Sequence, residues 1–427
     1  MTASAVTPRS KPSAMSVDDI RAHFPALARV HGGHRVAYFD GPGGTQVPTS
    51  VADAMRDYLL HHNANSHWNY PASLETDVII DAARAAAADF LNAAPNEVAF
   101  GANMTTLTFS LSRALARTMS EGDEIIITEL DHHANVAPWT RLVAERGVII
   151  KTVRMDPATG TLDWASLEQQ FGACTKLLAL GASSNALGTI TDVARATSLA
   201  HAHGARVFID AVAYAPHALI DVREFDCDFL ACSVYKFYGP HMGILYGKHE
   251  LLAELDVAKL APAPTQAPDR WETGTLNFEA LAGMTAAIDF LASIGAGGDA
   301  GAGDSRREQL ARAYHALHER SVPLLESLWG GLAAIRGVKL YGPPPSDLPR
   351  APTAAFTIKG VDSSIVATKL AATQGAFASN GIFYAATLAE RMGISGSGWV
   401  RAGCACYTTA DEVERLVGGV RAISASS

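Results

Sequence analysis

Lys236 stands in the stretch Ser233-Val-Tyr-Lys-Phe-Tyr-Gly-Pro-His-Met-Gly243, flanked by aromatic and small residues and followed by a Gly-Pro turn. It has no acidic neighbour within several positions, so it lacks the partners of a lysine on a polar helix face. Desolvation lowers the pKa of a lysine and makes the amine a nucleophile, which is what Schiff-base chemistry requires. Taken alone, the stretch suits a lysine that snorkels out of a strand end equally well. Four other short stretches carry groups that could join it: Met104-Thr-Thr106, Asp131-His-His133, Ser183-Ser-Asn185 and Asp210. The elements that would position them decide between the two readings.

The chain of 427 residues is 48% hydrophobic and 18% charged, an ordinary globular composition with room for two or three domains. A net charge of −9 offers no basic stripe for nucleic acid. No apolar run is read as long enough to cross a bilayer, so no membrane partner is expected. Residues 1–14 read as a loose polar tail without a signal core. The five cysteines are odd in number and irregularly spaced, which fits neither a disulfide framework nor a zinc site. Cys404 and Cys406 could share one side of a strand, and a buried structural role is expected for them. A reducing cytoplasm is the natural setting. The segment 61–70 holds three histidines without a carboxylate or cysteine at ligand spacing, so it reads as a lining or interface loop and no metal is expected.

From residue 75 onward, apolar strands near 97–100, 123–128, 147–153, 175–180, 206–210, 229–232 and 244–246 alternate with helical segments. Unbroken apolar strands separated by helices specify an α/β fold, a mostly parallel sheet covered on both faces. A Gly/Ala-rich break at 295–305 reads as a domain boundary. The expected organisation is a tail and helix over 1–35 packing on the small domain, a large domain over 36–293, and a smaller α+β domain over 306–427.

In an open parallel sheet, ligands bind beyond the carboxyl ends of the strands. Past successive strand ends lie Met104 and Thr105 at a helix N-terminus, His132, Asn185, Asp210, and Ser233 with Tyr235 and Lys236. A capping or turn role explains each one singly. Five such groups on one sheet edge make a site. Physically the set fits pyridoxal 5′-phosphate, which needs a lysine for its aldehyde, a carboxylate for its pyridine nitrogen and an anion seat for its phosphate. A Gly-x-Gly-x-x-Gly turn after a first strand is absent, which argues against a nicotinamide dehydrogenase.

Asp131-His-His-Ala-Asn135, Ser184-Asn-Ala-Leu-Gly-Thr189, Ile209-Asp210, Ser233-Val-Tyr-Lys-Phe-Tyr-Gly-Pro240, Glu272-Thr-Gly-Thr275 and Arg401-Ala-Gly-Cys-Ala-Cys-Tyr-Thr408 together resemble the class V aminotransferase family. That family belongs to fold type I of the pyridoxal-phosphate enzymes, and the closer likeness is to its group II cysteine desulfurases and selenocysteine lyases. The resemblance implies a large domain with a seven-stranded sheet and a small C-terminal domain. It implies that Lys236 binds the cofactor covalently, that His132 stacks on the pyridine and acts in catalysis, and that Asp210 pairs with the ring nitrogen. Met104, Thr105, Ser233 and Tyr235 would hold the phosphate. Thr275 would reach the cofactor of the partner subunit, which implies a homodimer with shared active sites. Asn185 and Arg401 would bind the substrate carboxylate.

The resemblance breaks at two places. Tyr384 stands where the desulfurases carry a nucleophilic cysteine, and Ser379 where an arginine precedes it. Ala213 replaces the Gln or His that hydrogen-bonds the cofactor's 3′-oxygen. A phenol cannot take up sulfur as a persulfide. The expected activity is therefore β-elimination of a carbon–sulfur or carbon–selenium bond in a small amino acid or thioether, with Tyr384 at the substrate. Transamination or epimerisation is the alternative, and a non-catalytic cofactor-binding homologue a second one.

Overall fold

The computed structural model describes residues 14–296, 304–346 and 349–426. Most of the expected tail and most of the Gly/Ala-rich break at 295–305 lie outside these residues. A seven-stranded sheet is built from β1 (Val98–Gly101), β2 (Glu124–Thr128), β3 (Ile149–Val153), β4 (Thr175–Gly181), β5 (Arg206–Asp210), β6 (Phe229–Ser233) and β7 (Gly243–Gly247). Their order across the sheet is β1-β7-β6-β5-β4-β2-β3. Neighbours from β6 to β3 pair parallel, while β7 is antiparallel to both β6 and β1. Strands β1 to β6 thus point one way, and their carboxyl ends share one edge.

Burial on both faces explains why these strands read as continuous apolar runs. Val207 and Ile209 of β5, with Leu230 and Cys232 of β6, face one buried cluster. Phe208, Phe229 and Ala231 face the other. The alternation is the two-residue period of a strand with each face covered by helices. The helix Phe278–Ala296 is apolar almost all round because it lies within the fold. By length and composition alone it is long enough to cross a membrane, a signal the sequence reading passed over, yet 67% of its most apolar window is buried here.

A second sheet contains β8 (Val338–Tyr341), β9 (Thr353–Ile358), β10 (Ser379–Gly381) and β11 (Trp399–Gly403), in the antiparallel order β8-β9-β11-β10. The last two were not expected from the sequence. The short β10 and the glycines around β11 blur the alternation on which a strand is recognised. Cys404 and Cys406 lie just beyond β11 rather than on it, each buried and unpaired. The N-terminal helix Val17–Ala22 is capped by Ser16, whose oxygen accepts from Asp19 N at 3.2 Å. It stops at Ala22, and Pro25 starts a separate 3-10 turn. Its Arg21 pairs with Glu412 at 3.0 Å and donates to the Tyr407 carbonyl.

Two chain segments bring the sheets together at the site. The strand Ala37–Tyr38 pairs parallel with Ala376–Phe377, and Asp40 bridges to Gly403. The following turn, 41–45, is stitched to the loop after β6: Thr45 N donates to the Tyr235 carbonyl at 3.1 Å, and Tyr238 N donates to Thr45 Oγ1 at 2.8 Å. Tyr238 adopts a left-handed backbone (φ 71°) and its hydroxyl accepts from Cys406 N at 3.0 Å.

Strand β7 brings its Gly243 against the start of the helix Met104–Ala116, where an added Cβ would lie 2.5 Å from the Asn103 carbonyl carbon. Gly243→Ala is therefore expected to cost roughly 1–3 kcal/mol. Thermal unfolding should show a midpoint lowered by several degrees, with weaker retention of a phosphate-bearing ligand at this helix end.

Candidate active site

At the shared strand edge lies a cavity of about 550 Å³. Into it come Met104 and Thr105 beyond β1, Asp131 and His132 beyond β2, Ser183 and Asn185 beyond β4, Asp210 at the end of β5 with Ala213 past it, Ser233 at the end of β6 with Tyr235 and Lys236 past it, and Arg401 from β11. Tyr384 and Phe383 close it from the loop after β10. Thr275 is not in this cavity. It lines a neighbouring one of about 400 Å³ with Thr106 and His241. The loop 61–70 lines neither of them.

Lys236 sits on a 3-10 turn directly after β6 and is only 9% exposed. Its Nζ donates to the carbonyls of Pro42 at 2.5 Å and Gly43 at 3.0 Å. Burial pushes its pKa down to about 8, helped by the Arg401 charge and opposed by Asp40 and Asp210. Asp210 ends β5, and the 26-residue interval to Lys236 is one connection between adjacent parallel strands. Its carboxylate accepts from Val212 N at 2.9 Å. Burial raises it to about 6, against the pull of that N–H and of Lys236.

His132 is pushed down to about 4, first by burial and then by the charges of Lys236, His133 and Arg401. The imidazole is therefore neutral near pH 7. Nδ1 accepts from Ala134 N at 3.0 Å, so the proton sits on Nε2. Its turn is anchored by Asp131, which accepts from Thr128 N, from Thr128 Oγ1 at 3.0 Å and from Gly181 N at 2.7 Å. Burial and the nearby Asp210 raise Asp131 to about 7. Asp131 was visible in the sequence only as the neighbour of His132; its bridging of β2 and β4 depends on strand order.

The anion seat forms where the helix Met104–Ala116 begins. Asn103 caps it by accepting from Thr106 N at 2.9 Å, and Met104 N donates to Ser233 Oγ at 3.0 Å. Helix-end N–H groups and hydroxyls of this kind suit a phosphate. Tyr235 stacks on His241 with ring centroids 4.9 Å apart.

At the opposite end of the cavity, Arg401 is 3% exposed. Its Nη1 donates to the Asn185 carbonyl at 2.9 Å, and its Cζ lies 3.8 Å from the Phe383 ring centroid. Asn185 Nδ2 donates to the Phe383 carbonyl at 2.8 Å, and His133 N to the Tyr384 carbonyl at 2.8 Å. These bonds hold two successive non-glycine residues at positive φ, 53° and 57°, a conformation that persists only when its surroundings enforce it. Tyr384 is 75% exposed, with its ring 5.5 Å from that of His132. The sequence carried no signal for Phe383 as a lid on Arg401.

Ser183 Oγ, Asn185 Oδ1 and Arg401 Nε are buried without a hydrogen-bond partner. Buried polar atoms without partners are rare in native folds, and here they mark a place where a polar ligand completes the structure. With the buried amine, the carboxylate and the helix end, the residues present fit pyridoxal 5′-phosphate.

Comparison with known proteins agrees with this geometry. The aminotransferase class-V family model matches residues 37–416. A cysteine desulfurase of Serratia proteamaculans (strain 568) is 34% identical over 95% of this chain and 98% of its own length. The aminotransferase-like protein FGM3 of Gibberella zeae is 31% identical, covering 95% and 98%. The apo structure of cysteine desulfurase from Thermococcus onnurineus NA1 superposes with a TM-score of 0.86 at 25% identity, over 97% of this chain and all of that one. The chain belongs to the class V aminotransferase family, and it is a pyridoxal-phosphate-dependent enzyme of that family.

In the apoprotein, only the neutral Lys236 amine adds to an aldehyde, so reaction with a small aldehyde should rise with pH through a midpoint near 8. Arg401→Leu should move that midpoint upward, because it removes a positive neighbour. In the holoenzyme, Lys236→Ala should lose the visible absorption band that borohydride bleaches in the parent.

Proposed function

We propose that this class V aminotransferase family member acts on a small amino acid or amino-acid-like thioether and cleaves its carbon–sulfur or carbon–selenium bond by β-elimination, without passing sulfur to a protein cysteine. The observation that carries this reading is the absence of a thiol at the cavity: Cys227, Cys232, Cys404 and Cys406 are buried elsewhere, and Cys174 is exposed away from it. Burial raises the buried thiols far from the thiolate range, Cys404 and Cys406 to about 12. Tyr384 occupies the loop where the resembled desulfurases carry their cysteine.

Pyridoxal 5′-phosphate, when bound, supplies an electron sink that stabilises negative charge at the substrate Cα. The chain's own groups do the rest. Asp210 would pair with the pyridine nitrogen, and a carboxylate that burial lifts to about 6 is suited to sharing a proton with it. The helix end at Met104 and Thr105, with Ser233 and Tyr235, binds the phosphate. Neutral His132, whose proton sits on Nε2, would stack on the pyridine ring. Asn185 and Arg401 take the substrate carboxylate. Lys236, with a pKa near 8, is basic enough to remove the Cα proton and neutral often enough to do so at ordinary pH. Tyr384, next to His132, stands where a departing thiolate would leave. In sum, a cysteine thioether and water give pyruvate, ammonia and a thiol.

The assembly we infer is a homodimer with shared sites, supported by the placement of Thr275 outside its own cavity. Five unpaired cysteines suit a reducing cytoplasm.

Holoenzyme incubated with cysteine thioethers is expected to release pyruvate and thiol in equal amounts, with no persulfide on any cysteine by mass spectrometry. Alanine with a keto acid should give amino-group transfer at less than about a tenth of that rate. Pyruvate-free amino transfer or racemised substrate would instead assign transamination or epimerisation, and an inert but coloured protein would assign a non-catalytic role.

A further inference from the structure

Where the resembled desulfurases place a second arginine, this chain has Ser379, and the charge balance of the carboxylate end changes with it. Ser379 Oγ donates to Asp40 Oδ1 at 2.7 Å. The same oxygen of Asp40 accepts from Arg401 Nη2 at 3.3 Å, and Arg401 Nη2 also reaches Ser379 Oγ at 3.4 Å. Asp40 thus leans on the Nη2 side of the guanidinium, next to the unpartnered Nε. A carboxylate prefers to bind an arginine through two parallel N–H donors. The Nε–Nη2 edge is the one that remains for a ligand, since Nη1 is committed to the Asn185 carbonyl at 2.9 Å.

The Asp40 carboxylate has no structural duty at the adjoining turn. Gly43 N and Gly44 N both donate to its backbone carbonyl, at 2.9 and 3.0 Å. The side chain instead lies over Gly43, where an added Cβ would come within 2.6 to 2.8 Å of the carboxylate. Glycine at 43 is what leaves room for the carboxylate to lie there. Asp40 also acts on Lys236 by its charge.

We propose, on the reading that Arg401 receives the substrate carboxylate, that Asp40 is the resident counter-ion of Arg401 and a specificity-determining residue. A substrate carboxylate has to displace Asp40 from the Nη2 side, and the displaced charge stays in the site. With Asp40 and Asp210 present, and Arg401 and Lys236 already engaged, no further lysine or arginine lines the cavity among the described residues to meet a second acidic group. The substrate class is therefore an amino acid with a single carboxylate and an uncharged side chain; amino acids with an acidic side chain are excluded.

The test uses equilibrium binding and not turnover, so it stands apart from whether elimination occurs. Propionate and succinate serve as unreactive probes, titrated calorimetrically into holoenzyme and apoprotein. In the parent, propionate should bind at least about tenfold tighter than succinate. Asp40→Asn should tighten propionate binding by about tenfold, an effect opposite to that of a merely structural carboxylate. Ser379→Arg, which gives Asp40 its own cation, should tighten propionate and also admit succinate. Equal binding of the two probes by the parent, or unchanged or weaker propionate binding in both variants, would overturn the proposal. If propionate does not bind the parent but binds Arg401→Leu, the assignment of Arg401 itself fails instead.

Discussion

A primary amine that has to be both reactive and present at a strand end depends on being kept out of water. In this fold, everything around Lys236 serves that constraint. The amine is buried, its hydrogen bonds go to carbonyl oxygens of the 42–43 turn, and it lies 5.0 Å from the Tyr235 ring centroid. Carbonyls solvate an ammonium incompletely, so burial dominates and the pKa falls to about 8. The turn is not free to drift, because Thr45 and Tyr238 tie it to the lysine's own loop. The reactive group and its cage are thus held by one small hydrogen-bond network.

The same desolvation acts on the other ionisable groups with opposite signs. It lifts Asp131 and Asp210 from the ordinary carboxylate range toward neutral pH, and it depresses His132, which would titrate near pH 7 in water, so that the imidazole stays neutral there. For stability of the apoprotein the signs follow directly. Neutral His132 favours the folded state above its ordinary value of 6.5, and that contribution is lost as pH falls toward about 4. The raised carboxylates favour the folded state at low pH, and their contribution is lost as pH rises from 3.8 through about 6 and 7.

Much of this was legible in the residues. The seven strands could be read because burial on both faces leaves each one apolar throughout, and Lys236 and Asp210 could be read because each follows such a strand. Groups that act across distant segments could not. Asp131 gains its meaning from the adjacency of β2 and β4, which are separated in sequence by β3. Phe383 covers Arg401 only because β10 pairs with β11. Thr275 was named without any means of knowing that it would open into a different cavity. Helix ends are set by local chemistry that the hydrophobic pattern does not show, as at Pro25 and at the π-helical turn Tyr58–His62.

The bridge between Asp40 and Gly403 ties one of the earliest parts of the site to one of the last. Gly403 also has to lack a side chain, since Pro42 packs 2.3 Å from where its Cβ would be. On a ribosome the chain emerges from its N-terminus. The strands of the large sheet and Lys236 are therefore synthesised long before β11, whose Gly403 bridges to Asp40. The carboxylate end of the site, where Asp40 meets Arg401 and Gly403, therefore exists only once the two ends of the chain have docked on one another.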